Sequence, residues 1–258
     1  MDFLIYEVKG HVGLLTINRP AALNALNGAV LAELATQLDA IAGSDIRCLV
    51  LTGAGEKSFV AGADIGEMKD LSPEQAERFS IVGNAVMEQL ENLPVPVIAA
   101  VNGYALGGGI ELALACDIRL ASENATFSMP EAGLGILPGF GGVQRLAREI
   151  GVSKAKELAF TTNRVKAPEA LTLGLVSAVY PAGELVDAAV AMAEKIAANA
   201  PAGVRAVKKV ANGSVGLTLD KSTRLEAALF GECFATADQK QAMAAFMEKR
   251  KPEPFTGK

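Results

Sequence analysis

Two glutamates set among glycines are the residues best placed to do chemistry. Glu111 follows Gly107-Gly108-Gly109 in NGYALGGGIELALACD, where it is the only charge before Asp117. Glu131 stands in SMPEAGLG, after a proline and ahead of two glycines. Two carboxyl groups whose surroundings push their pKa values apart can divide acid and base duties. A helix starting near Gly108 leaves N–H groups without intrahelical partners, and glycines let that backbone approach a ligand closely. Such donors can hold a developing oxyanion, and a second donor from another loop would complete the hole. The plainer alternatives are a first-turn carboxylate facing a helix dipole for Glu111 and a surface glutamate for Glu131. Spacing alone does not show convergence.

Other chemistries lack parts. Gly53-Ala54-Gly55-Glu56-Lys57-Ser58 does not have P-loop spacing, and in GLGILPGFGG a proline, Pro138, stands where a dinucleotide fingerprint needs its third glycine. His11 is the single histidine, so zinc sites and His-based triads are incomplete. Cys48, Cys116 and Cys233 are odd in number and set in apolar surroundings, which suggests buried thiols in a reducing compartment. A net charge of −5, no Trp and no long basic run give nucleic-acid binding no support. The start, MDFLIYEVKG, lacks a signal pattern, and no apolar run reaches the roughly 20 residues of a membrane span. A cytoplasmic protein with no membrane partner is expected.

The elements that must position these residues read as an α/β chain. Strands are expected at 3–8 and 13–17, then a helix over 28–39 with Asn27 as its N-cap. CLVLTG, 48–53, is a buried strand running into a long polar loop, GAGEKSFVAGADIGEM. Ser72-Pro73-Glu74-Gln75 combines a cap, a first-turn proline and a capping-box Gln, which predicts a helix over 73–91. VIAAV, 97–101, is a continuous apolar strand leading into the glycine triplet, whereas Glu131 falls on an irregular loop. Repeated strand, loop and helix units argue for parallel strands, generically a doubly wound sheet. Helical patterns dominate beyond 140, interrupted by the strand-like LVSAVY at 175–180. Thr236 to Gln239 caps a last helix that leads into Lys249-Arg250-Lys251. A core over 1–200 and a C-terminal helical region over 201–258 follow.

Four ordered stretches carry a resemblance: TINRPAALNAL at 16–26, LTGAGEKSFVAGADI at 51–65, PVIAAVNGYALGGGIELALACDIRLAS at 96–122 and FSMPEAGLGILPGFGGVQRL at 127–146. Together with AFMEKRKPEPF near the end, they resemble the crotonase (enoyl-CoA hydratase/isomerase) superfamily, its short-chain enoyl-CoA hydratases most of all. The resemblance implies a spiral of ββα units with a C-terminal helical trimerisation region, assembled as a homo-hexamer of two trimers. It implies an acyl-CoA thioester substrate whose carbonyl oxygen is held by the N–H groups of Ala63 and Gly108. It implies that Glu111 acts mainly on water and Glu131 mainly on the α-proton. Coenzyme A is then part of the substrate, and no metal or redox cofactor is needed.

By the same resemblance, Lys57 and a neighbouring subunit's Lys249 would contact CoA phosphates. Asp64, Ile65 and Gly66 would continue the loop lining the pantetheine, and Phe230 would line the acyl pocket. Solvated lysines and an interface aromatic are the plainer readings. Ala21 and Gly66 stand where hydratases commonly have lysine, and Met129 where a Gln is frequent, which makes that surrounding less polar. The leading expectation is hydration of a 2-trans-enoyl-CoA. A Δ3,Δ2-enoyl-CoA isomerase, which needs one carboxyl, and a non-catalytic crotonase-like binding protein are the alternatives.

Overall fold

The computed structural model describes residues 2–258. The chain opens with an antiparallel hairpin, β1 (Leu4–Lys9) and β2 (Val12–Ile17), followed by α1 (Gly28–Ala42). Asn27 caps α1, its side chain accepting from the Val30 N–H at 2.9 Å. The helix runs past the expected 39 because Ile41 continues its buried face. Three similar turns come next. The first is β3 (Cys48–Gly53), β4 (Ser58–Val60), the short α2 (Ile65–Met68) and α3 (Pro73–Glu91). The second is β5 (Val97–Val101), β6 (Tyr104–Leu106) and α4 (Gly108–Leu114), and the third β7 (Ile118–Ser122), β8 (Thr126–Ser128) and α5 (Gly142–Ile150). The stretch expected as one polar loop after β3 therefore contains both a strand and a helical turn.

After α6 (Val152–Thr161) come β9 (Val165–Lys166), α7 (Ala167–Thr172), β10 (Ala178–Tyr180) and α8 (Leu185–Ala197). The larger sheet has the order β1-β2-β3-β5-β7-β10, the smaller β4-β6-β8-β9. Each turn places its long strand in one sheet and its short strand in the other, so the architecture is a ββα spiral and not a doubly wound sheet. The predicted strand over 175–180 shrinks to β10. Leu175 and Val176 instead bury their side chains while their N–H groups bond the Ala170 carbonyl, which keeps them out of the ladder.

The central strands β3 and β5 of the larger sheet are covered on both faces, which explains their unbroken apolar runs. Leu49, Leu51, Val97, Ala99 and Val101 face a core shared with α1 and α3. Cys48, Val50, Ile98 and Ala100 alternate onto the other face, where Leu185, Ala189, Ala193 and Ala197 of α8 cover them. The C-terminal helices are α9 (Pro201–Gly213), α10 (Leu219–Cys233) and α11 (Ala237–Met247). On α9, buried Lys208 donates to the Asp117 carboxylate at 2.7 Å and the Val95 carbonyl at 3.0 Å, tying the helix to the core. Large apolar side chains of α10 and α11, among them Phe230, Phe246 and Met247, are exposed. Cys48 and Cys116 are buried free thiols, but Cys233, near the end of α10, is only half-buried.

Candidate active site

The short strands β4, β6 and β8 are parallel neighbours. Ala63, Gly108 and Glu131 each lie two or three residues beyond the C-terminal end of one of them. Crevices beyond the carboxyl ends of parallel strands are where open α/β sheets bind ligands. Three elements expected to act together thus arrive at one edge from three successive turns of the spiral.

Ala63 is held there by a single β-bridge to Leu26. The Leu26 N–H donates to Gly62 O and the Asp64 N–H to Leu26 O, both at 2.8 Å, so the Ala63 N–H faces away from the bridge. Gly108 opens α4, where the first turn of N–H groups has no helical partner. Among the described residues neither of these two N–H groups has an acceptor. A Cβ built on Gly108 would lie 3.2 Å from Ala63 N, so the two donors sit side by side.

The other two glycines of the triplet are needed for different reasons. A Cβ on Gly109 would fall 1.9 Å from Val60 O, so only glycine lets α4 pack on β4. Gly107 adopts φ 49°, ψ −118°, and a Cβ there would meet Glu131 Oε1 at 2.2 Å. The Glu131 carboxyl therefore lies directly against the N-cap of α4, one turn from Glu111.

Glu111 is 2% exposed. Its Oε1 accepts from the N–H groups of Phe140 at 2.7 Å and Gly142 at 2.8 Å. Burial pushes its pKa up to about 7; those two N–H donors and Arg145 oppose the rise, and the nearby charge of Glu131 adds to it. A first-turn carboxylate merely facing a helix dipole would sit in solvent, and this one does not.

Glu131 is also buried and begins a 3₁₀ turn, Glu131–Leu134, where an irregular loop was expected. Burial raises its pKa, opposed by its own backbone N–H. Its Oε2 is buried with no hydrogen-bond partner among the described residues. Met129 is buried, and a Cβ on Gly142 would lie 2.9 Å from its Cε and 2.6 Å from Glu111 Cγ. The thioether thus helps to keep the surroundings of Glu111 dry.

The residues expected to bind substrate are less tightly gathered. Lys57 is exposed, in a loop bordering a shallow cavity of about 270 Å³ lined also by Pro20, Leu23, Asn24 and Ser58. Asp64 is the N-cap of α2, accepting from Gly66 N–H at 3.0 Å and from Arg19 Nη1 at 2.7 Å. That pairing with Arg19 holds its carboxyl below the usual range. Ile65 and Gly66 are exposed, and they belong to a helical turn where a loop was expected. Phe230 on α10, which packs on α9, lies against Phe234 just past the helix end, with ring centroids 5.1 Å apart and planes inclined at 56°. Lys249 follows α11 and is exposed. None of the hydrogen bonds or ring contacts of Phe230 or Lys249 reaches the two glutamates.

Sequence reasoning missed two polar residues that build the site. Asn24 is fully buried and donates to Ala54 O at 3.0 Å and Ser58 O at 2.8 Å, fixing the loop that carries Lys57. Arg145 is buried on α5 and donates to Phe140 O at 2.9 Å. Asn24 shows in the sequence only as a polar residue between apolar neighbours, and Arg145 carries no local signal. Among the described residues no cluster of three or more His, Cys, Asp or Glu is arranged to hold a metal ion, and no helix is long and apolar enough to cross a membrane.

Paired main-chain donors beside two buried carboxyls at the open edge of a ββα spiral suit a protein that handles a carbonyl oxygen together with a proton. The sequence pattern of the enoyl-CoA hydratase/isomerase family matches residues 7–258, and the chain belongs to that family. A short-chain-enoyl-CoA hydratase of Clostridium acetobutylicum is 52% identical over 256 residues, 99% of this chain and 98% of that protein. A crotonyl-CoA hydratase of Syntrophomonas wolfei is 46% identical over 249 residues, 96% of each chain. The crystal structure of an enoyl-CoA hydratase from Bacillus anthracis superposes with a TM-score of 0.95 at 41% identity, covering 99% of this chain and 100% of that one. The crotonase spiral expected from the sequence is thereby the observed fold.

Proposed function

We propose that the chain is an enoyl-CoA hydratase that adds water syn across the double bond of a 2-trans-enoyl-CoA to give a 3-hydroxyacyl-CoA. The observation that carries this reading is the pair of acceptor-free N–H groups, Ala63 and Gly108, beside two buried carboxyls. The thioester oxygen accepts from both donors, which bind it more tightly as negative charge develops in the enolate-like transition state. Glu111, whose Oε1 is occupied by two N–H donors, uses its remaining oxygen to take a proton from water as the hydroxyl adds to C3. Glu131 delivers a proton to C2 from its unpartnered carboxyl. Burial raises both pKa values, that of Glu111 to about 7, which keeps the Glu111 carboxyl within reach of both its acid and its base form near neutral pH. The two N–H donors favour the charged form of Glu111, which supports its assignment as the base.

Lys57 and Lys249, the latter from a neighbouring subunit, bind CoA phosphates in this reading. Asp64, Ile65 and Gly66 border the pantetheine, and Phe230 the acyl chain. The reaction needs no cofactor beyond the CoA of the substrate. The exposed apolar residues of α10 and α11 support assembly into a homo-hexamer of two trimers. A cytoplasmic location fits three unpaired cysteines.

The test follows loss of the conjugated-thioester absorbance of crotonyl-CoA. Glu111→Gln and Glu131→Gln are each expected to lower kcat by about 10²–10⁴-fold with little change in KM. A near-normal rate in either variant removes that residue's role, and no turnover of any enoyl-CoA from C4 to C10 by the parent rejects hydration. Conversion of a 3-enoyl-CoA without hydration of a 2-enoyl-CoA would identify an isomerase instead.

A further inference from the structure

Glu111 owes its orientation to the loop from Gly139 to Gly142, and that loop is pinned from behind. Ser80 Oγ and Asn84 Nδ2, both on α3, donate to the Gly139 carbonyl at 2.5 Å and 2.8 Å. Arg145 Nη1 donates to the Phe140 carbonyl at 2.9 Å. The same guanidinium turns its Nε and Nη2 to Glu91 Oε2, at 3.1 Å and 2.8 Å, at the end of α3. A Cβ on Gly141 would come within 2.5 Å of Arg145 Nη1, so the loop fits closely over the guanidinium. The carbonyls of Gly139 and Gly141, the latter accepting from the Arg145 N–H at 3.1 Å, belong to the same peptides as the Phe140 and Gly142 N–H groups; with these carbonyls held and the Phe140 carbonyl between them pinned, both N–H groups meet at a single oxygen, Glu111 Oε1.

We propose that Arg145, braced by Glu91, is a positioning residue for hydration: it fixes the loop whose N–H groups orient Glu111 and places a buried positive charge that favours the carboxylate. This rests on the function proposed above and adds a residue that touches neither substrate nor reacting atoms. An arginine suits the task because one planar fork bonds a carbonyl and a carboxylate at once, whereas a lysine offers a single point charge. Around Glu111, α4 packs on α5, β4 and β6. Of these, α5 carries Arg145, Arg148 and Glu149, β6 carries Tyr104, β4 carries no titratable group, and the turn after β8 brings Glu131. The charges that bear on Glu111 are those of Glu131 and Arg145, with opposite effects. Removing Arg145 therefore leaves Glu131 unopposed and makes the base harder to ionise.

The experiment measures kcat, KM and the pH profile of kcat/KM for crotonyl-CoA hydration in Arg145→Met and Arg145→Lys, with thermal melts of each. Arg145→Met is expected to move the acidic limb upward by about 1 pH unit and to lower kcat by at least about tenfold, with KM changed far less. Arg145→Lys keeps the charge but not the fork, so its limb stays near the parental position while kcat falls. A merely structural role would lower the melting temperature or the folded fraction and leave the limb where it was. A folded Arg145→Met with the parental limb overturns the proposal. Should Arg145→Met fail to fold, Arg145→Lys decides: a parental kcat overturns it, and a reduced kcat at unchanged KM and melting temperature upholds it. Glu111→Gln in parallel separates the two readings, because a normal rate there would defeat the assignment of Glu111 as base and not the anchoring of the loop.

Discussion

Gly107→Ala tests the site with a single methyl group. The new Cβ would stand 2.2 Å from Glu131 Oε1, so that carboxyl must retreat by about 1 Å to reach ordinary contact. Because the atom displaced is the end of a flexible side chain, relieving the clash costs little stability. A misplacement of about 1 Å in a reacting group nevertheless costs about 10²-fold in rate. Gly107 also combines a φ of 49° with a ψ of −118°, outside the left-handed helical region and open to glycine almost alone, so an alanine there carries more backbone strain than the about 1–2 kcal/mol of a left-handed helical position. Gly10, in the β1–β2 turn at φ 59° with nothing within 4 Å of an added Cβ, is the control for an alanine at positive φ with no neighbour to displace. Gly10→Ala should melt about 2–8 °C below the parent and Gly107→Ala further below it. Only Gly107→Ala should lose kcat for crotonyl-CoA hydration, by about two orders of magnitude at a KM close to parental. Equal rates in the two variants would refute the placement of Glu131 against the α4 N-cap.

Two further outcomes follow from buried charge. The pKa of Glu111 stands at about 7 against an ordinary 4.5, so across that window the folded protein holds more proton than the unfolded chain and loses stability as pH rises. Glu111→Gln should therefore melt above the parent at pH 8 and approach it near pH 5; an equal difference at both would contradict the burial argument. Lys208→Met removes the charged partner of Asp117, which is part-exposed and keeps the Val97 N–H at 2.7 Å, and should cost about 1–3 kcal/mol in denaturant unfolding, with activity per folded molecule unchanged. A loss too small to resolve would show that the pair does not anchor the helix.

Short-range signals were legible. Ser72 and Gln75 form the reciprocal capping box their spacing announces, and α3 covers the expected span. Thr236 likewise caps α11. The two-sheet spiral was visible only through resemblance, because β4, β6 and β8 are three residues long and too short to show a period. β4 in particular lies inside a stretch that reads as polar loop. The strand expected over 175–180 begins only at Ala178, because apolar residues can bury themselves in a turn as well as in a sheet. At the site, the glycine triplet and Glu111 stood out, but the partners of Glu111 lie 29 and 31 residues further along the chain. No local pattern encodes such a contact, and Arg145, which supports it, reads in the sequence as an ordinary helical arginine.

The edge formed by β4, β6 and β8 has a consequence for how such a catalyst can vary. Neighbouring strands lie about 4.8 Å apart wherever peptides pair, whatever their side chains. The offsets between Ala63, Gly108 and Glu131 are therefore gauged by main-chain pairing, a ruler that substitution cannot easily rescale. Drift in the hydrophobic interior spends stability before it alters those offsets. The loops and helices around the edge are not tied to that ruler, so the walls of the crevice can change shape around unchanged donor and carboxyl positions.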